Sequence, residues 1–220
     1  MTDRLITDRL ITDRLPSWSR KGAIIDQVVL HESVTSSRAA TLRVLKSRGL
    51  GVHYILDRDG TVTQHAPVAE QCAHAGWRHN RRSVAVEIVN RYYGAQAAPM
   101  TPTIKAVWAH RGWYVLPTAP QCEAVWGVVV GLHESIPTLP LVFPGATNGR
   151  FTWGRLPLLS RWRLPAGIMA HHRTGHADGL FQEHYCWLRS FDHSPVDAYR
   201  MTADAASSGL RVTSLPASGV

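Results

Sequence analysis

Two histidines and an aspartate, distant from one another along the chain, have the character of metal ligands. His31 directly follows an apolar run, and so does His171, while Asp178 lies shortly after His171 and just before a glycine. Two imidazoles and a carboxylate form a ligand set that zinc accepts, and three protein ligands leave one coordination position for water. Zinc in such an open site supports hydrolysis, because it polarises a carbonyl and activates the water. We therefore predict one catalytic zinc ion held by these three residues.

The same histidines also permit a less specific interpretation. The chain has 12 histidines among its 220 residues, so accidental pairs are expected. A histidine at a strand end is often a hydrogen-bonded surface residue. His172 is an alternative second ligand, because it directly follows His171. We prefer His171, since it comes straight after an apolar run, as His31 does.

The pattern of elements along the chain allows the histidines to meet. Strands alternate with helices, which predicts an α/β fold with a mixed central sheet flanked by helices. Ligands gather beyond the carboxyl ends of the strands in open sheets of this kind, where His31 and His171 would lie. The predicted strands are 24–30, 52–56, 61–64, 83–89 and 167–170, with a hairpin turn at 57–60, and the predicted helices are 38–48, 120–134 and 180–189.

The chain divides into three predicted parts. Residues 1–20 contain a five-residue repeat, Thr-Asp-Arg-Leu-Ile, which we interpret as a flexible leader without a function. Residues 21–200 are predicted to form the single domain that holds the site, with an irregular insert within 91–165. Residues 201–220 are rich in Ser, Ala and Gly and are predicted to be disordered.

Composition restricts the partners. A formal net charge of +8 favours an acidic partner such as nucleic acid, anionic lipid or an anionic cell-wall polymer. We expect no nucleic-acid binding, because the arginines are scattered rather than gathered in one dense run. We also expect no membrane span, since no stretch approaches the roughly 20 apolar residues required. The N-terminus shows no apolar secretory signal. The three cysteines form no Cys-x-x-Cys pair and are expected to be reduced packing residues, or else one disulfide and a free thiol.

Several segments of the chain resemble, in order and spacing, the motifs of the type 2 N-acetylmuramoyl-L-alanine amidases. That superfamily includes phage lysozyme-like amidases, bacterial cell-wall recycling amidases and animal peptidoglycan recognition proteins. The resemblance covers about residues 24–190, and the joint match over 28–89 is its most specific part. The resembling segments are 28–35, 51–62, His74-Ala75-Gly76, Asn80, 83–87, 169–171 and Asp178-Gly179.

The resemblance implies hydrolysis of the amide between N-acetylmuramic acid and L-alanine, in peptidoglycan or muropeptides, with zinc on His31, His171 and Asp178. Glu87 matches an acidic residue that positions or activates water in some members, and a buried carboxylate there could transfer protons. Its alternative is a charge on the solvent face of a strand. His176 occupies the place of a family lysine that stabilises the oxyanion, which an imidazole could also do. Its alternative is an exposed loop histidine.

Four more residues match family positions, and we predict that they contact substrate: His53, His74, Trp77 and Asn80. For His53 a packing role fits equally well, and Trp77 could instead be a core or rim aromatic. The main alternative function is a non-catalytic peptidoglycan-binding module, although relatives that only bind typically lose a ligand. We expect a monomer that is made in the cytoplasm without a signal peptide, either a phage or prophage endolysin or a recycling enzyme.

Overall fold

The computed structural model describes residues 11–92, 102–109, 112–154 and 165–208. The strands are β1 (Trp18–Ser19), β2 (Gln27–Glu32), β3 (Tyr54–Leu56), β4 (Val62–Gln64), β5 (Glu70–Gln71), β6 (Ser83–Ile88), β7 (Thr103–Lys105), β8 (Trp113–Val115), β9 (Ala146–Thr147), β10 (Arg150–Phe151) and β11 (Gly167–Ala170). The helices are α1 (Arg38–Ser47), α2 (Trp77–Asn80), α3 (Ala119–Ser135), α4 (Leu180–Arg189) and α5 (Pro195–Ser208), with a 3-10 helix at His171–Thr174.

A five-stranded central sheet organises the chain. Its strand order is β11-β2-β6-β3-β4. The first four strands run parallel, and β4 returns antiparallel to β3 after the predicted hairpin. The predicted mixed sheet flanked by helices is therefore confirmed. Because β11, β2, β6 and β3 are parallel, their carboxyl ends meet at one edge of the sheet.

The two faces of this sheet have different partners, because alternate residues of a strand point to opposite faces. On one face, Val28 and Leu30 of β2 belong to the main hydrophobic core, which residues of α3, α4 and α5 complete. On the other face, Ile55 of β3 packs with Leu45 of α1. His31 alternates with the main-core residues of β2, so it faces the α1 side of the sheet.

The N-terminal segment, residues 11–20, is held against the domain. The Thr12 backbone N–H donates to the Gln64 carbonyl at 2.9 Å, and the Leu15 N–H donates to the His65 carbonyl at 2.9 Å. Leu15 is buried in the α1-side core, and β1 pairs with β5. The prediction of a flexible leader is therefore wrong for the N-terminal segment. Residues 1–10 lie outside the described residues.

The region 91–165 is more regular than predicted. α3 covers the predicted helix and starts with a reciprocal cap: the Gln121 N–H donates to Thr118 Oγ1, and the Thr118 N–H donates to Gln121 Oε1. Before it, β7 pairs with β8, and after it, β9 pairs with β10. The insert therefore contains two small antiparallel pairs as well as a helix. Residues 93–101, 110–111 and 155–164 lie outside the described residues.

The C-terminal part of the domain is helical. α5 extends to Ser208 and buries Thr202, Ala205 and Ala206. Disorder from residue 201 is therefore wrong for 201–208, because these residues complete α5 and place Ala205 and Ala206 in the main core; residues 209–220 lie outside the described part. All three cysteines are buried and free, which confirms the reduced packing role. None of the described helices combines the length and apolar character needed to cross a membrane.

Candidate metal centre

His31 and His171 meet at the carboxyl edge of the sheet. His31 is the fifth residue of β2, and His171 begins the 3-10 helix directly after β11. Since β11 pairs in parallel with β2, both histidines leave the sheet at the same edge. Their ring centroids are 4.2 Å apart, and both side chains are buried. The adjacency predicted from two distant strand ends is thus present.

Asp178 joins the two histidines through a tight return of the chain. One of its carboxylate oxygens lies 3.2 Å from His171 Nδ1, and the other lies 3.8 Å from His31 Nδ1. One ligand atom from each of the three residues lies within 4.8 Å of the others. The following Gly179 has φ +83°, and a Cβ there would meet the Leu30 carbonyl oxygen at 2.2 Å. Only glycine therefore lets the turn approach β2 this closely.

The three side chains fit a zinc ion chemically. Burial, followed by the neighbouring histidines, lowers the pKa of His31 well below 6.5, so its imidazole is neutral and keeps a lone pair for a metal. Within the described part of the chain, the buried Asp178 Oδ1 receives no hydrogen bond. A buried oxygen without a donor fits a ligand atom awaiting a cation. His171 completes a nitrogen–nitrogen–oxygen set of the kind that zinc accepts.

The structure distinguishes His171 from its neighbour. His172 is also buried, yet it does not belong to the group of converging ligand atoms. Its backbone N–H donates to the Asp178 carbonyl at 3.0 Å and so closes the turn that presents the aspartate. The geometry therefore favours His171 as the second ligand.

A chain of hydrogen bonds fixes the proton on His31. His31 Nε2 lies 3.0 Å from His74 Nδ1, and His74 Nε2 lies 3.0 Å from Ser83 Oγ. The Ser83 hydroxyl donates to the His79 carbonyl at 2.7 Å, so it can only accept from His74. His74 must then carry its proton on Nε2, and His31 must donate from its own Nε2. This leaves the lone pair of His31 on Nδ1, the nitrogen facing Asp178.

Asn80 holds His74 in this chain. Its side-chain oxygen accepts from the backbone N–H of His74 at 3.1 Å and of Ala75 at 2.9 Å. Both Asn80 and His74 also line the cavity beside the ligands. These hydrogen bonds assign Asn80 and His74 a supporting role toward His31, and their contact with substrate stays a prediction.

Glu87 stands beside His31 on the next strand. The two residues are register partners in the β2–β6 pair, so their side chains share a face. Glu87 is 8% exposed, and burial, followed by the charges of Asp178 and Glu32, raises its pKa well above 4.5. The alternative of a charge on a solvent face is therefore wrong. A carboxyl group with a perturbed pKa beside the predicted ligands is a candidate for a functional role.

A cavity of about 530 Å³ opens over the ligands. His31, His171 and Asp178 lie in its wall together with Glu87, and α1 contributes Val44 among other residues. This is within the size range of small-molecule binding sites. His176 also lines the cavity, and its exposed ring stacks on His171 with centroids 4.1 Å apart and planes at 10°. The predicted oxyanion residue is thus at the site.

Two predicted substrate residues are placed away from the cavity wall. His53 is fully buried: its Nδ1 accepts from the Ala85 N–H at 2.9 Å, and its Nε2 lies 2.9 Å from the Glu70 carbonyl. The prediction that His53 contacts substrate is wrong, because both ring nitrogens are bonded inside the protein; its packing alternative holds. Trp77 is 69% exposed at the start of α2, next to Gly76 of the cavity wall.

Two residues that support the site have no assigned role in the sequence prediction. Glu32 is a buried carboxylate on the core face of β2, and burial raises its pKa although several hydrogen bonds oppose that shift. A charged residue directly after the predicted ligand His31 was the available signal. Arg20 is buried too, and its guanidinium donates to the carbonyls of Val68, Asn80, Arg81 and Ser83. Nothing in the sequence of the N-terminal segment indicates that role.

The fold and the site together define a class of protein: a mixed-sheet α/β domain with a buried His-His-Asp cluster at the sheet edge. Residues 21–134 match the sequence model of the family Amidase_2, N-acetylmuramoyl-L-alanine amidase. Since the match spans more than half of the chain, the protein belongs to this family. The resemblance seen in the motifs is thereby confirmed. The matched range contains His31 and Glu87, whereas His171 and Asp178 lie beyond it.

Solved structures with a similar course of the chain include amidases and a recognition protein. The endolysin N-acetylmuramoyl-L-alanine amidase LysCS from Clostridium intestinale URNW is 14% identical, with a TM-score of 0.41, over 74% of this chain and 77% of that chain. Staphylococcus aureus hydrolase AmiA is 15% identical, with a TM-score of 0.45, over 89% and 80%. Drosophila peptidoglycan recognition protein SA is 11% identical, with a TM-score of 0.40, over 72% and 73%. No curated protein matches the sequence.

Proposed function

We propose that this protein is a zinc-dependent N-acetylmuramoyl-L-alanine amidase, which hydrolyses the amide bond between N-acetylmuramic acid and L-alanine in peptidoglycan or muropeptides. The observation that carries the proposal is the convergence of His31, His171 and Asp178 in the wall of a cavity that also holds Glu87. These residues supply the parts of a metal-assisted hydrolase, and membership of the family indicates which bond is cut.

The residues of the chain divide the chemistry between them. When bound by the three ligands, zinc supplies a Lewis acid that polarises the amide carbonyl and eases deprotonation of water. Glu87 takes a proton from the attacking water and returns it to the amine of L-alanine as the amide bond breaks. His176 donates a hydrogen bond to the carbonyl oxygen while negative charge develops there, held in place by its stacking on His171.

The hydrogen-bond chain behind His31 supports this division of roles. Because His74 accepts from Nε2 of His31, the imidazole cannot turn its protonated nitrogen toward the ligand cluster.

The cavity is formed by one chain, so a monomer suffices for activity. The same site fits an endolysin that attacks intact cell wall and a recycling enzyme that attacks released muropeptides, and the two substrates distinguish these settings.

The test is to incubate the purified, zinc-loaded protein with intact peptidoglycan and with soluble muropeptides. We expect new L-alanine amino groups to appear without new sugar reducing ends. New reducing ends alone would indicate a glycosidase. Binding to the wall without any release of peptide would instead support the non-catalytic module. DNA binding that weakens strongly as the salt concentration rises, and that survives His31→Ala, would support a nucleic-acid binder.

Two adjacent histidines provide a matched control for the metal site. His171→Ala should abolish both zinc binding and turnover, because it removes a ligand that the geometry places in the cluster. His172→Ala removes a neighbouring imidazole that lies outside the cluster and should retain zinc. Zinc content per folded protein, measured by atomic emission after dialysis, separates the two variants. Zinc loss only in the His172 variant would overturn the assignment.

A further inference from the structure

We propose that Glu32, the residue after the first ligand, is a positioning residue for the third ligand, Asp178. The inference rests on the proposed zinc site and adds a residue to it. Glu32 points away from His31, into the core side of the sheet, so it does not itself face the ligand cluster. It acts on Asp178 through the backbone that follows the aspartate.

Four donors converge on the Glu32 carboxylate. Oε1 accepts from Asn90 Nδ2 at 2.8 Å, from the Tyr114 hydroxyl at 2.6 Å and from Gln182 Nε2 at 3.1 Å. Oε2 accepts from the Gly179 backbone N–H at 3.0 Å. Throughout the described ranges, Glu32 forms no ion pair, so these neutral donors take the place of a counter-ion for a buried group.

Glu32 forms two hydrogen bonds with the dipeptide Asp178-Gly179. Its side chain receives the Gly179 N–H, and its own backbone N–H donates to Asp178 Oδ2 at 3.3 Å. The dipeptide is pressed so closely onto β2 that Gly179 has no space for a Cβ. Because Glu32 directly follows His31, this one residue fixes the distance between the first and the third ligand.

The two carboxylate oxygens give the inference a specific test. In Glu32→Gln, the amide oxygen can replace only one of the two carboxylate oxygens, and the three donors at Oε1 favour placing it there. The amide NH₂ then occupies the position of Oε2 and faces the Gly179 N–H, donor against donor. The variant keeps the shape of the side chain but releases the turn that carries Asp178.

Zinc affinity in competition with a chromophoric chelator is the measurement. We expect Glu32→Gln to bind zinc about 10- to 100-fold more weakly, the usual effect of losing a partner behind a ligand. Tyr114→Phe is the matched control, since it also removes one hydrogen bond from Glu32 but leaves the Gly179 contact intact. It should keep zinc affinity close to that of the unmodified protein.

Substitution of cobalt(II) for zinc gives a readout that a merely structural role would not move. Its visible spectrum should change in Glu32→Gln, because the Asp178 oxygen shifts, and should stay unchanged in Tyr114→Phe. Unchanged zinc affinity in Glu32→Gln, or equal loss in both variants, would overturn the positioning role. If the unmodified protein binds no zinc, the proposed function fails first, and the two failures are thereby distinguished.

A measurement on the unmodified protein covers the case in which Glu32→Gln does not fold. If the Gly179 hydrogen bond and metal binding are coupled through Asp178, zinc must strengthen that hydrogen bond by reciprocity. Hydrogen exchange of the Gly179 amide should therefore slow on zinc loading more than that of Val89, whose N–H donates to the Leu56 carbonyl elsewhere in the sheet. Equal slowing of both amides would contradict the inference.

Discussion

Replacing Glu87 with glutamine should separate the stability of the protein from its turnover. The carboxyl group is buried beside Asp178 and Glu32, and this environment raises its pKa well above 4.5 in the folded protein. Ionised Glu87 therefore destabilises the folded protein, whereas the proposed reaction requires it as a proton acceptor. Glutamine keeps the shape and hydrogen-bonding character of the neutral acid but cannot accept the proton from water.

The effect on turnover follows from the role in proton transfer. General acid–base groups contribute about 10²- to 10⁴-fold to a rate, so Glu87→Gln should lower kcat by that factor, or about 3–5 kcal/mol of activation free energy. Glu87 is not one of the three ligands, so zinc content should be unchanged. Steady-state kinetics on a soluble muropeptide, with zinc measured on the same samples, tests both statements.

The effect on stability has the opposite sign. A carboxyl group whose folded-state pKa is raised stabilises the protein fully below its unfolded pKa, and this stabilisation is lost as the pH rises through the folded pKa. Metal-free Glu87→Gln should therefore be more stable than the unmodified protein at about pH 7, by about 1.4 kcal/mol for each pKa unit of the shift that lies below the assay pH, and not at about pH 4. Urea unfolding in the presence of a chelator measures this difference.

Two results would refute the reasoning about Glu87. Retained kcat in Glu87→Gln would show that the carboxylate moves no proton in the reaction. A variant destabilised by the same amount at both pH values would show that the charge of Glu87 is not what the folded protein resists.

Three further perturbations have expected outcomes. The metal-free protein should lose stability as the pH falls from 6.5 toward about 3. Histidines with a lowered pKa take up protons when the protein unfolds, and they outnumber the glutamates with a raised pKa, which release them. A urea midpoint that does not change with pH would contradict this. The histidines are His31, His53, His65, His74 and His184. Arg20→Ala leaves four backbone carbonyls without their donor and should lower the free energy of unfolding in urea by about 3 kcal/mol or more. Arg14→Ala breaks an exposed ion pair and should lower it by less than about 1 kcal/mol. Equal costs would refute the role of Arg20. Gly179→Ala should weaken zinc binding, because a Cβ there meets backbone, while Gly127→Ala, with open space inside α3, should raise the free energy of unfolding by about 1 kcal/mol; unchanged zinc affinity in the first would contradict the close approach.

The fold could be predicted from the sequence wherever a buried element produces a recognisable mark, a pattern of apolar residues. Strands buried on both faces are continuous apolar runs, and this is why 24–30 and 83–89 predict β2 and β6. The apolar stripe within 120–134 likewise predicts α3. The N-terminal segment carries no such mark. Its backbone donates to the Gln64 and His65 carbonyls, and β1 pairs with β5; no local sequence pattern encodes these distant contacts.

The candidate site could be predicted in part for a related reason. Strand ends reveal His31 and His171, because the parallel sheet gathers its carboxyl ends at one edge. Supporting residues are recognised only by their three-dimensional partners. His53 matches a family position, yet both its ring nitrogens are bonded inside the protein. Glu32 directly follows His31, and its donors come from three distant parts of the chain.

The attachment of the N-terminal segment bears on how this domain can be transplanted into chimeric proteins. The stretch recognisable as a family member starts at residue 21 and stops at 134. A graft cut at those limits would discard Arg20, whose guanidinium donates to the Asn80 and Ser83 carbonyls. It would also discard His171 and Asp178, two of the three proposed ligands. A portable module therefore has to include Arg20 at one end and the helices through α5 at the other, and a fusion partner is better joined beyond these elements than at residue 21.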